Sequence, residues 1–283
     1  MVSAPSLSAL DADLAATPGT ISVWCGRIGG PPAYARNPDA THYAASTMKV
    51  AVLAALYRAA EAGALDLDAE VPVRNRFRSA VPDAPPFQCR PEYDSDEQVW
   101  KRLGGSATLR WLARRMIVVS GNLAANICLT AVGRDAVAQV WRAVGAERSV
   151  VGRCIEDTAA AERGVTNLVT AADLAALLSA IARADPALAG PRACAEMLDV
   201  LFAQELGAEL LAGLPPGTRV AHKNGWITGV RHGAALIFPA DADPYCLVCC
   251  TTTPLARDES GEDEACRLLA RVAAASWADR HTL

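Results

Sequence analysis

An α+β fold, with one antiparallel sheet and a separate helical region, is predicted by three features of the sequence. Strand-like runs stand at both ends of the chain, a succession of helical segments fills the middle, and a long amphipathic helix follows the last strand-like run. Runs of one kind flanking runs of another argue for segregated layers rather than βαβ alternation. The chain has 283 residues, 52% of them apolar, which supports a large core.

The elements follow in order. Thr20 to Ile28 alternates and is rich in β-formers, so it reads as a strand. Gly29-Gly30-Pro31-Pro32 is a turn into a returning strand at Ala33–Arg36. Beyond Ser46 the chain is Ala/Leu-rich at helical spacing as far as Ala62, and Gly63 stops it. Residues 64–106 read as an irregular surface excursion, with Pro82, Pro85, Pro86 and Pro91 close together and an acidic cluster at Asp94, Asp96 and Glu97. Helical periodicity returns at Leu109–Ile117, Leu123–Val132 and Arg134–Val144. Residues 150–166 read as a loop, and Asn167–Ala184 and Cys194–Leu206 as helices. After Pro215-Pro216-Gly217 come strand-like runs at Arg219–Asn224, Val230–Phe238 and Tyr245–Thr253, and Glu262–Asp279 is the closing helix. The simplest closure pairs the N-terminal hairpin with the C-terminal strands. Residues 1–45 and 215–283 then form a sheet domain and 46–214 a helical domain, with the cleft between them as the expected site.

Lys plus Arg number 27 and Asp plus Glu 31, a formal charge of −4. No basic excess is available to attract a phosphate backbone, so nucleic acid is not expected as a partner. No apolar run approaches the roughly 18–20 residues of a spanning helix, so neither is a membrane. The opening Met-Val-Ser-Ala-Pro-Ser-Leu has no basic and apolar regions of a signal peptide, which gives a cytoplasmic expectation. Nine cysteines fit such a compartment as small core hydrophobes. Cys246 and Cys249 form a C-x-x-C, but residues three apart on a strand face opposite sides. With no second such pair, neither a metal nor another cofactor is expected.

Three short motifs carry chemistry. Ser46-Thr47-Met48-Lys49 is S-x-x-K at the start of a helix, a spacing that puts both side chains on one face. A serine hydroxyl is a weak nucleophile and needs an adjacent base. Lysine serves only if burial and a second cation bring its pKa from about 10.4 to near 7. Alone, the motif is weak and reads first as an ordinary N-cap serine with a lysine in the first turn. Ser120-Gly121-Asn122 sits at a helix-to-helix junction, where the hydroxyl would relay a proton and the amide would hold a carbonyl. His222-Lys223-Asn224-Gly225 ends a strand, where the lysine supplies the second cation and the glycine lets a substrate lie against the strand edge.

In this chain order, S-x-x-K, S-G-N and K-N-G resemble the motifs of the penicillin-recognising serine hydrolases, and among them the class A β-lactamase-like branch. The resemblance spans most of residues 18–275. It implies a five-stranded antiparallel sheet flanked by helices plus an all-helical lobe, with the active site between them. It also implies that Ser46 is the acylated nucleophile and Lys49 its proton partner, that Ser120 and Lys223 shuttle protons, and that Asn122 binds the substrate amide. The oxyanion hole would be the backbone N–H groups of Ser46 and Trp226, beside Gly225. Asn224, Thr228 or Arg231 would meet a substrate carboxylate. Gly121 stands where Asp is usual, so a structural hydrogen bond around that turn is expected to be missing. Asn224 stands where Thr or Ser is usual. Glu156 lies at about the distance of the deacylating glutamate, but Asp157-Thr158-Ala159-Ala160 follows it, without the usual Leu-Asn that supports that loop.

The implied activity is that of a serine hydrolase acting through an acyl-enzyme on an amide, β-lactam or ester bond. Its substrate would be a small molecule carrying an acyl group and a carboxylate. The alternatives are a DD-peptidase-like activity, a biosynthetic acyl-transferase or esterase, and a non-catalytic ligand-binding module on the same fold.

Overall fold

The computed structural model describes residues 5–283. Helix α1 (Leu7–Ala16) precedes strands β1 (Thr20–Arg27) and β2 (Tyr34–Arg36). Strand β3 (His42–Tyr43) leads through a 3-10 turn at Ala45–Met48 into α2 (Lys49–Glu61). Then come β4 (Glu70–Pro72), α3 (Glu97–Trp100), β5 (Ser106–Thr108), α4 (Leu109–Val118), α5 (Asn122–Val132), α6 (Arg134–Ala143), β6 (Val150–Val151), α7 (Thr158–Glu162), β7 (Asn167–Val169), α8 (Ala171–Ala182), α9 (Pro191–Phe202) and α10 (Ala208–Leu211). Strands β8 (Arg219–Ile227), β9 (Val230–Phe238) and β10 (Tyr245–Thr252) and helix α11 (Glu264–Ala278) close the chain.

The main sheet has five antiparallel strands in the order β2-β1-β10-β9-β8. Both ends of the chain therefore share it: β1 pairs with β10 from Thr20↔Thr252 to Arg27↔Tyr245. Successive strand side chains point to opposite faces, and both faces of this sheet are covered. Ile21, Val23, Cys25, Leu247 and Cys249 pack with Leu7, Leu10 and Leu14 of α1 and Leu269 and Val272 of α11. Trp24, Cys246, Val248 and Cys250 face the other way, into a larger cluster with α2, α5 and α8. Cys246 and Cys249 thus lie on opposite faces. Strand β8 is an edge strand, with one side open toward the helical region. Among the described residues no helix is long and apolar enough to cross a membrane.

Several sequence expectations shift. Asn167–Val169 is a strand paired with β3 and β6 rather than the first turn of a helix. The helix starts after Thr170, whose hydroxyl accepts from Asp173 N–H as an N-cap. The next helix begins at Pro191, a favoured first position, and ends at Phe202 rather than Leu206. Helix α1 carries no sequence expectation, although Ser6 caps it. Within the acidic cluster of residues 64–106 only Glu97 is exposed. Asp96 is buried and paired with Arg115 at 2.6 Å, and removing one partner of such a pair costs about 3–5 kcal/mol.

Candidate active site

Ser46 is half-buried in the 3-10 turn that runs into α2, one residue after Ala45, whose φ is +44°. Six non-glycine residues have positive φ among the described residues. Three of them, Ala45, Ser120 (+58°) and Glu156 (+66°), are candidate site residues or stand next to Ser46. Such strained backbone persists where the surroundings over-determine it, typically at functional sites.

Lys49 opens α2 and is fully buried. Its Nζ donates to the Ser120 carbonyl at 2.6 Å, to Ser120 Oγ at 3.3 Å and to Asn122 Oδ1 at 2.8 Å. Burial pushes its pKa down to about 7, against the opposing charge of Asp94. The S-x-x-K and S-G-N motifs therefore meet through direct hydrogen bonds. Lys223 is also fully buried, and its pKa is pushed well below the usual lysine range by burial and by the Lys49 charge, with Glu209 opposing. Its Nζ donates to the Asn224 carbonyl at 2.9 Å and to Asn224 Oδ1 at 3.0 Å.

Gly225 lets the edge strand approach Ser46. A Cβ there would stand 2.9 Å from Ser46 N and 3.1 Å from Thr47 N, so only glycine fits without a backbone shift. The neighbouring Trp226 is half-buried, and Thr228 is exposed at the β8–β9 turn.

The turn at Gly121 does not lack a carboxylate. Asp94 supplies it from the irregular excursion: its two oxygens accept from Asn122 N–H at 2.9 Å and Leu123 N–H at 2.8 Å, satisfying free donors at the start of α5. Asn122 Nδ2 donates to the Tyr93 carbonyl at 2.6 Å. With Oδ1 taken by Lys49, both ends of that amide are engaged within the protein.

The loop carrying Glu156 is held without Leu-Asn. Asn126 brackets Ile155, donating to its carbonyl and accepting from its N–H, both at 2.8 Å. Asp157 is buried, caps α7 and accepts from Ser79 Oγ and Ala80 N–H, both at 2.7 Å. The Glu156 carboxylate accepts from Arg90 N–H at 3.2 Å and from Arg90 Nε at 3.3 Å.

Arg231 departs most from expectation. Its side chain is 2% exposed and pairs with Glu209 at 3.2 Å, with Asp263 at 3.8 Å, and through Nη2 with the carbonyls of Asp258 and Ser260 at 3.0 Å. It is sequestered by groups of its own chain. Asn224 Nδ2 likewise donates to Glu209 Oε1 at 3.2 Å.

Sequence reasoning missed Asp94, Asn126, Gln204 and Glu209. Asn126 left a trace, one helical turn after Asn122 in an otherwise apolar segment. Glu209 left none, because a lone acid in a four-residue helix has no periodicity to betray its burial.

A family model described as "Beta-lactamase enzyme family" matches residues 6–278. Among solved structures the chain is similar to PBP-A, with 22% identity and a TM-score of 0.78 over 96% of this chain and 98% of that one. A mutant of PBP-A has been solved as an acyl-enzyme complex with penicillin G. The chain is also similar to a β-lactamase from Sphaerobacter thermophilus, with 23% identity and a TM-score of 0.77 over 96% and 94%. An ancestral class A β-lactamase shares 26% identity and a TM-score of 0.76 over 95% and 98%. A search of curated proteins gives no match.

Proposed function

The chain belongs to the β-lactamase enzyme family, and we propose that it acts as a serine hydrolase through an acyl-enzyme on Ser46. Neutral Lys49 takes the Ser46 proton as Oγ attacks the acyl carbon. The backbone N–H groups of Ser46 and Trp226 hold the oxyanion that develops on the carbonyl oxygen. The bond to the leaving group then breaks, and Ser120 Oγ gives that group a proton which Lys49 replaces, with Lys223 setting the field. Water, deprotonated by Glu156, attacks the Ser46 ester; the acid departs and Ser46 Oγ is reprotonated. Asn122 acts chiefly by orienting Lys49. The observation that carries this reading is the buried Lys49 Nζ, with a pKa near 7, on Ser120 and Asn122. At neutral pH roughly half of such a lysine is an unprotonated base.

The family and the captured PBP-A acyl-enzyme support the same chemistry. All nine cysteines are free thiols and eight are buried, which supports a cytoplasmic setting. Intact-protein mass after incubation with an activated ester tests the reading. An acyl adduct on Ser46 is expected, and Ser46→Ala should lose on the order of 10³-fold or more of acylation. Retention of more than about a tenth would remove the mechanism.

A further inference from the structure

We propose that Glu209 is a built-in carboxylate seated on side chains expected to meet a substrate carboxylate, and that the protein consequently takes acyl compounds whose leaving group is uncharged. The proposal rests on the reading of Ser46 as nucleophile and adds to it a substrate class.

The geometry begins with α10, which lies directly on β9. A Cβ at Gly233 would stand 2.6 Å from Leu210 Cγ, so the helix can settle there only because that position is glycine. This close seat delivers Glu209, 3% exposed, beside β8 and β9. Its Oε1 accepts from Asn224 Nδ2 and from Arg231 Nη1, both at 3.2 Å. Asn224 and Arg231 are two of the three side chains that the family resemblance implies would meet a substrate carboxylate. A carboxylate already sits on both, and it comes from the chain itself.

Most donors of these side chains are already engaged, and Arg231 Nε, which has no partner, is itself buried. Asn224 Oδ1 accepts from Lys223 Nζ at 3.0 Å and from Gln204 Nε2 at 3.3 Å. Arg231 Nη2 is taken by two backbone carbonyls and lies 3.8 Å from Asp263. The Arg231 cation here faces two carboxylates, Glu209 and Asp263. Glu209 Oε2 is buried with no hydrogen-bond partner, a bare acceptor that repels an incoming carboxylate. Thr228, the third expected contact, is an exposed turn hydroxyl. Like charges brought together in a desolvated site disfavour binding, here on the order of a hundredfold in rate when expressed only at that end of the substrate.

The test uses two aryl esters of one acyl group, identical except that one phenol leaving group carries a meta carboxylate. Release of the phenol and acylation of Ser46, followed by intact mass, are measured for each and corrected for uncatalysed hydrolysis. The wild-type protein should react at least about tenfold faster with the uncharged ester. In Glu209→Gln that ratio should fall by about tenfold or invert, whatever the absolute rates. Equal rates in the wild type, or a preference for the charged ester, would overturn the assignment while leaving the acyl-enzyme reading intact. An unchanged ratio in a folded Glu209→Gln variant would overturn it too. Should that variant fail to fold, the wild-type ratio decides by itself. Failure of both esters to modify Ser46 would sink the acyl-enzyme reading, and this assignment with it.

Discussion

Replacing Lys49 by methionine should change the pH dependence of stability as well as remove the base. The native pKa of Lys49 is about 7, against about 10.4 for a lysine in an unfolded chain. Between those values the unfolded chain holds a proton that the native protein has lost, so stability rises with pH. The contribution is complete above the unfolded value, fades as pH falls toward 7, and has no further to fall below it. Between pH 6 and pH 9 the rise is on the order of 2–3 kcal/mol for this one group. Methionine keeps much of the volume and cannot titrate. The stability of the wild type relative to Lys49→Met should therefore increase by on the order of 2–3 kcal/mol over that interval. Removing the Lys49 charge also relieves Lys223, which flattens the variant's own profile and adds to the difference. Urea unfolding of both proteins at pH 6 and pH 9 measures it. A stability difference that stays constant to within about 0.5 kcal/mol would refute the depressed lysine and the base it supplies.

Other consequences are separately testable. The acylation kcat/KM for an uncharged ester should climb through about pH 7, as Lys49 loses its proton, and level off above; a flat profile from pH 6 to 8 would exclude Lys49 as base. Gly225→Ala puts a methyl group 2.9 Å from Ser46 N and should lower acylation by about 10- to 100-fold while the melting temperature moves little; undiminished acylation would mean that the edge strand does not shape the oxyanion site. The Glu156 carboxylate is engaged with Arg90, so deacylation should be slow, and an uncharged aryl ester should show a burst of phenol followed by a steady phase. Glu156→Gln should slow that phase by about a hundredfold; no burst together with an unchanged steady rate would remove both the base and the slow step. Deleting residues 245–283 takes out β10, which lies between β1 and β9, and a cooperatively melting 1–244 fragment would contradict the sheet's role.

The sheet and the motif residues were legible because their signals are local. Alternation marks β1, continuous apolar runs mark much of β9 and β10, and S-x-x-K, S-G-N and K-N-G each occupy three or four consecutive positions. What escaped depends on contacts distant in sequence. Asp94 and Asp96 lie in a proline-rich stretch that looks solvated, and only the arrival of α4 and α5 gives them Arg115 and the free N–H groups to bind. Asn167–Val169 was absorbed into the following helix because an apolar run suits either period. The Thr170 and Asp173 pair that sets the true start was nonetheless in view. Arg231 read as a substrate contact because nothing near it in sequence announces Glu209, 22 residues away.

The pairing of β1 with β10 also governs the order in which the molecule can be assembled. Residue 20 finds its partner at residue 252, and during synthesis at about 5–20 residues per second it waits on the order of 10–50 seconds for that partner to be made. Through that interval β1 has only β2 beside it, and a lone two-stranded hairpin is marginal in water. Ile21, Val23 and Trp24 are buried in the finished sheet but have no complete core to enter until the last strands arrive. The β-rich segment from Thr20 to Arg27 is then a nascent-chain hazard, the place where a chaperone would bind first and where aggregation would start in its absence.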